Sequence, residues 1–300
     1  MEDLSRPVET IAIPLAIPVK AYLADHRVSG RAVFPAVEAL QVLAATLPEP
    51  AGANILCQEA CRFDHLLAIA EGAKEVPAIH EFSRFADGRC RSRLLTAVSG
   101  RQAAWTRKIE HASVFFAARR GEEGRGKGGP PRSGSTKVAG GGKTALPGLA
   151  GDPGRQGEAI PALFAREPAG PVFRVASRRL YEELVPFGPA FRNVAGDLRL
   201  TPAGAWAEIA GGDFPEAAGP LGSPFPFDAA LHAACAWGQR YRGLVAFPVA
   251  FDRREIFVPT RPREAYRCRA VPLPDRGASL CFDLVIAGTD GRFAEVIRGV

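Results

Sequence analysis

The sequence predicts an α+β fold built as two similar halves, and three observations carry that prediction. Each half holds several strand-length apolar stretches and one strong helix. A glycine-rich basic segment with hardly an apolar side chain divides them. The turn into the first helix carries a histidine, His26, and the turn into the second carries a carboxylate, Asp228.

In the first half, strands are expected at Ile11–Ile17, Asn54–Ile69, Val76–Phe85, Cys90–Val98 and Ala104–Ala117. The helix is expected at Pro35–Leu47. Pro35 suits the first helical position, where a missing N–H costs nothing, and Pro48 stops the helix. Val37, Leu40, Leu43 and Leu47 give it a broad apolar face.

Between Gly121 and Gly142 there are nine glycines. Such a stretch cannot bury enough surface to offset its ordering entropy. Residues 119–158 therefore read as a flexible linker, between an N-terminal half at 1–118 and a C-terminal half at 159–300. The linker could be a basic arm for an acidic partner; a plain spacer is the simpler reading.

The second half repeats the layout. Strands are expected at Pro171–Ala176, Phe191–Leu200, Ala205–Ile209, Leu244–Phe251 and Tyr266–Val271. A hairpin of Ser279–Ile286 with Arg292–Ile297 turns at Asp290-Gly291. The helix is expected at Ala229–Tyr241, rich in small residues, as a helix pressed closely on a sheet would be.

Composition narrows the function classes. With 47% apolar and 23% charged residues, the chain is globular in type. Its net charge is +6, and the stretch from Arg119 to Lys143, with seven basic residues against two acids, holds nearly all of it. The remainder is close to neutral, which argues against a nucleic-acid-binding face. No apolar run is long enough to span a bilayer, and the N-terminus lacks a signal-peptide layout. A cytoplasmic location is the expectation. The six cysteines (57, 61, 90, 235, 268, 281) do not make a zinc set and read as plain buried thiols.

Four motifs carry chemistry. The first, His26 to Pro35, reads His-x3-Gly-x4-Pro. Next comes Trp105 to Val114, with Trp105 and His111-Ala112. Tyr181 is followed by Phe187-Gly188-Pro189-Ala190-Phe191, and last comes Asp228-Ala229-Ala230-Leu231-His232. In this order they resemble the dehydratase domains of modular polyketide synthases, which have a double hot-dog fold: two antiparallel sheets, each wrapped around a central helix, forming an internal pseudo-dimer. The resemblance spans roughly residues 8 to 300.

The resemblance implies elimination of water from a β-hydroxyacyl thioester held on the phosphopantetheine arm of an acyl carrier protein. His26 would be the base and Asp228 the acid. His232 would support Asp228 one helical turn on. Gly30 would serve by close backbone approach or a positive φ, and Pro35 by starting the helix. Gly188, Pro189, Phe191, Phe187 and Phe227 would line the substrate tunnel or brace the base. The family usually has a tyrosine where Phe187 stands and a leucine where Phe227 stands, so a hydroxyl is lost and the pocket is expected to narrow. His65 and His80 read as structural, and His111 as a packing or hydrogen-bonding residue. The resemblance calls for no bound nucleotide, flavin or metal. Other polyketide or fatty acid synthase components are further candidate partners, and nucleic acid and membrane are not expected. A homodimer is left open.

Two other readings remain open at this point. One is a same-fold isomerase or cyclase, including product-template-like action on a poly-β-keto chain. The other is a non-catalytic hot-dog protein that binds acyl chains. The Asp228 carboxylate could also be a plain helix cap.

Overall fold

The computed structural model describes residues 6–48, 53–99, 106–118 and 171–300. The expected linker 119–158 and Trp105 lie outside these residues. The strands are β1 (Pro7–Pro18), β2 (Arg27–Val28), β3 (Arg31–Phe34), β4 (Ala53–Arg62), β5 (Leu67–Ala68), β6 (Glu75–Phe85), β7 (Cys90–Ser99) and β8 (Thr106–Ala118) in the first half. The second half gives β9 (Phe173–Ala176), β10 (Val194–Thr201), β11 (Gly204–Ala210), β12 (Ala250–Ile256), β13 (Ala265–Arg276), β14 (Ser279–Gly288) and β15 (Phe293–Arg298). Helix α1 spans Ala36–Ala45 and α2 spans Phe225–Arg242.

The double hot-dog prediction holds, with one change in how the sheets meet. Twelve strands form a single sheet in the order β1-β6-β7-β8-β4-β12-β15-β14-β13-β11-β10-β9. The two halves fuse where β4 pairs antiparallel with β12, Phe251 facing Cys61 and Arg253 facing Glu59. The described residues of both halves thus belong to one compact unit. At this seam the buried Arg254 meets Glu295 at 2.7 Å and lies over the Phe227 ring, 4.6 Å from its centroid. Among the described residues, no helix is long and apolar enough to cross a membrane.

Each helix packs the way its sequence pattern implies. Leu40 and Leu43 of α1 are fully buried, and α2 buries Ala229, Ala230 and Ala233 completely. The small side chains let α2 lie close on β11 and β13. Gly243, in the left-handed region at φ 66°, ends it.

Three expected elements shift. Pro35 is the residue before α1 rather than its first helical residue; its carbonyl accepts from the N–H groups of Glu38 and Ala39. Helix α2 starts four residues before the expected Ala229, because Pro226 falls in its first turn, where no N–H partner is required. The expected strand Leu244–Phe251 is strand only from Ala250; residues 244–249 form a strap outside the regular strands. Pro248, which offers no N–H, fits that change. A short helical turn, Ser177–Arg179, continues as a π-turn at Leu180–Leu184 and was not foreseen.

Candidate active site

His26 ends a short 3-10 turn, Ala21–Asp25, and leads into the β2–β3 hairpin. That hairpin turns on Ser29 (φ 50°) and Gly30 (φ 78°). Two successive residues at positive φ are what a tight two-residue hairpin asks for. A Cβ at Gly30 would meet open space, so its reason is the backbone angle and not close approach. The hairpin then delivers the chain through Pro35 into α1.

His26 Nδ1 lies 3.0 Å from the carbonyl oxygen of Val33. A carbonyl only accepts, so Nδ1 carries the proton and Nε2 keeps a free lone pair. The ring stacks on Phe187, with centroids 4.4 Å apart and planes 17° off parallel, and meets the Phe191 edge at 5.0 Å. Burial holds the imidazole below the usual histidine value, against the opposing pull of the Asp228 charge and of the Val33 hydrogen bond. At neutral pH this side chain is a neutral base.

Asp228 and His232 enter from α2, both buried (5% and 4% exposed). Asp228 lies in the first turn of the helix and makes no capping bond, which removes the plain-cap reading. His232 Nε2 stands 3.1 Å from Asp228 Oδ2. The two atoms are set off line, so the contact is electrostatic and each is buried without a hydrogen-bond partner. On its other side, His232 Nδ1 is 3.3 Å from the Tyr181 hydroxyl, which itself accepts the Val194 N–H at 2.9 Å. With that N–H donating to one lone pair, the hydroxyl keeps its proton to offer His232 Nδ1. Phe187 is the shared wall, 5.1 Å from the His232 ring.

His26, Asp228, His232 and Phe187 line one cavity of about 520 Å³, which runs past Ala36 at the head of α1. There the first N–H groups of the helix have no intrahelical acceptor and favour negative charge. The exposed Arg27, Ser29 and His65 mark its mouth.

The remaining site residues divide. Gly30 and Pro35 shape the approach and lie outside the cavity lining. Gly188, Pro189 and Phe191 do not line it either; they brace the base. Gly188 donates its N–H to the Asp25 carbonyl at 2.8 Å, and the Asp25 carboxylate accepts the Ala190 N–H at 2.9 Å. A Cβ on Gly188 would sit 2.5 Å from Asp25 Cγ, so glycine is the residue that fits. Phe227 does not narrow the pocket: it faces the seam, packing on Phe251 and Arg254.

Asp25 and Tyr181 were not singled out for these roles in the sequence, and neither were His65 and His111 as cavity residues. His65 falls in the bend between β4 and β5 instead of a strand. His111 is hydrogen-bonded as expected, Nδ1 to the His65 carbonyl and Nε2 to Thr96. His80, bonded to Thr46 and Ser92, is structural as expected.

Comparison with known proteins agrees with this layout. Residues 165–300, just under half of the chain, match the family model described as polyketide synthase dehydratase N-terminal domain. The structure is similar to the dehydratase domain of a mycocerosic acid synthase-like polyketide synthase (TM-score 0.64, 16% identity, 99% of this chain and 91% of that one). It is similar to the dehydratase domain of RzxB from Pseudomonas fluorescens (0.62, 16%, 99% and 96%). It also resembles the dehydratase domain from the CurK module of the curacin polyketide synthase (0.65, 15%, 100% and 93%). No curated protein matches the sequence. The resemblance to polyketide synthase dehydratases, and with it the double hot-dog fold, is borne out.

Proposed function

We propose that this chain, which carries the polyketide synthase dehydratase fold, dehydrates a β-hydroxyacyl thioester to the α,β-enoyl thioester. The observation that carries the reading is the orientation of His26. Its Nδ1–H is held by the Val33 carbonyl, leaving Nε2 as the basic atom in a cavity shared with the buried Asp228.

His26 Nε2 takes the α-proton while the head of α1 favours the charge that builds on the thioester oxygen. Asp228 gives a proton to the β-hydroxyl, the C–O bond breaks, and water leaves. The proton on His26 then returns to Asp228. Asp228 Oδ2 faces His232 Nε2 at 3.1 Å, and the carboxyl group lines the cavity where it would meet the substrate hydroxyl. Acid–base chemistry of this pair is sufficient for the reaction. His232 and Tyr181 orient Asp228, and Phe187 fixes the face of His26 that meets substrate.

The substrate is read as carried on the phosphopantetheine arm of an acyl carrier protein, since a thioester presented at a cavity mouth needs a long tether. An acyl chain offered to the protein as β-hydroxyacyl and as α,β-enoyl thioester separates this reading from its rivals. A dehydratase interconverts the two with loss or gain of water. An isomerase would move the double bond without water, and a binding protein would change neither.

A further inference from the structure

The strap formed by residues 244–249 separates two cavities instead of closing one. The catalytic cavity and a second one of about 260 Å³ share Leu231 and Cys235 of α2, and both are walled by Val245 through Val249. The second chamber continues to Ala234, Leu280 and Phe282 and opens beside Ser279. Its lining is mainly apolar.

Two features set the strap apart from a fixed wall. It belongs to no strand, and it begins at Gly243, whose left-handed backbone ends α2 in open space. Val245, Phe247 and Val249 are more than half exposed, at 67%, 52% and 57%. Val249 ties the end of the strap down, its carbonyl accepting the Phe63 N–H at 2.8 Å. The segment before it, outside every strand and with a cavity on either side, is a partition that an apolar chain can pass.

Resting on the dehydratase reading, we infer that the second chamber receives the distal end of a long, apolar acyl chain, which threads under the strap from the catalytic cavity. Adjacency to that cavity identifies the occupant: the two spaces share Leu231, Cys235 and the strap as walls, so a chain that enters past His26 meets this space next once the strap gives way. A short acyl group would end before the strap and be indifferent to what lies beyond. A polar or charged tail would gain nothing from walls such as Leu280 and Phe282.

The test compares β-hydroxyacyl thioesters of 4 and 12 carbons on a carrier protein. Wild type is set beside Ala234→Trp, which fills the chamber from α2, and Ser279→Trp, which narrows its rim at an exposed position and carries little folding risk. We expect the ratio of kcat/KM for the long over the short substrate to fall at least tenfold in either variant. Binding of saturated dodecanoyl-pantetheine, followed by calorimetry, should weaken in parallel. If the long-chain preference and the binding are both insensitive to Ser279→Trp in the folded protein, the inference is wrong. If dodecanoyl-pantetheine binds and that binding depends on the chamber, yet neither hydroxyacyl chain loses water, the chamber stands and the dehydratase reading falls.

Discussion

The carboxylate of Asp25 accepts the backbone N–H of Ala190 at 2.9 Å, one residue before the histidine that carries the proposed chemistry. This single bond, with the Gly188 N–H on the Asp25 carbonyl, couples the His26 turn of the first half to the Phe187–Phe191 segment of the second. The base is therefore held by both halves at once.

Gly188→Ala should break that coupling. The added methyl would lie 2.5 Å from Asp25 Cγ and Oδ1, so Asp25 must move and His26 with it. Overpacking of this kind costs about 1–3 kcal/mol. Denaturant melts should show that loss, and turnover should drop well beyond what the remaining folded fraction explains. Asp25→Ala, which removes the acceptor without a clash, should cost stability of about 1 kcal/mol and also slow turnover.

His232 and Tyr181 act on Asp228 and should separate by substitution. His232→Gln keeps a polar group beside the carboxylate and should hold kcat within a few-fold. His232→Leu leaves the buried carboxylate facing hydrocarbon and should lower kcat by about 10²-fold or more, in the range assigned to proton-transfer groups. Tyr181→Phe strands the Val194 N–H and should cost about 1–3 kcal/mol of stability. Steady-state kinetics beside thermal melts would distinguish the two effects.

The pH profile follows from the direction of the His26 shift. Burial lowers its pKa, and only the neutral form is a base. The rising limb of kcat/KM should lie below the usual histidine value and be level by neutral pH. A limb centred above that value would contradict the geometry.

Glu38 contributes a loss of stability with rising pH, which opposes the gain from His26, His80 and His111, whose burial-lowered pKa values favour the fold as pH rises. Glu38, buried on α1 and bonded by the Tyr22 hydroxyl at 2.7 Å, is pushed up to about 7, first by burial. A carboxyl raised in the fold favours the native state below its unfolded value. That contribution is lost as pH climbs from about 4.5 to about 7. The window corresponds to roughly 3 kcal/mol. Relative to wild type, Glu38→Gln should gain stability as pH rises through this window and be the more stable protein at pH 8, measured by urea unfolding.

Much of the site was legible because the reacting groups sit in short motifs at turn-to-helix junctions. His26, Asp228 and His232 stand within their runs, and the helices carry their own boundary chemistry. What was not legible depends on long-range pairing. The Asp25 clamp joins residues 165 apart, and the side to which Phe227 turns is set by Arg254 at the seam. The start of the second helix reads late for a local reason, since Phe225 to Asp228, with Pro226 in the first turn, lie before the expected Ala229. The strap misled because its apolar run fits a strand, while Pro248 and the flanking cavities leave it outside the regular strands.

The central claim is that His26 and Asp228 together remove water. The most direct measurement is mass spectrometry of a short β-hydroxyacyl carrier protein incubated with wild type, His26→Ala and Asp228→Asn. We predict water loss with wild type and none with either folded variant. Water loss by either variant at the wild-type rate would contradict the assigned pair.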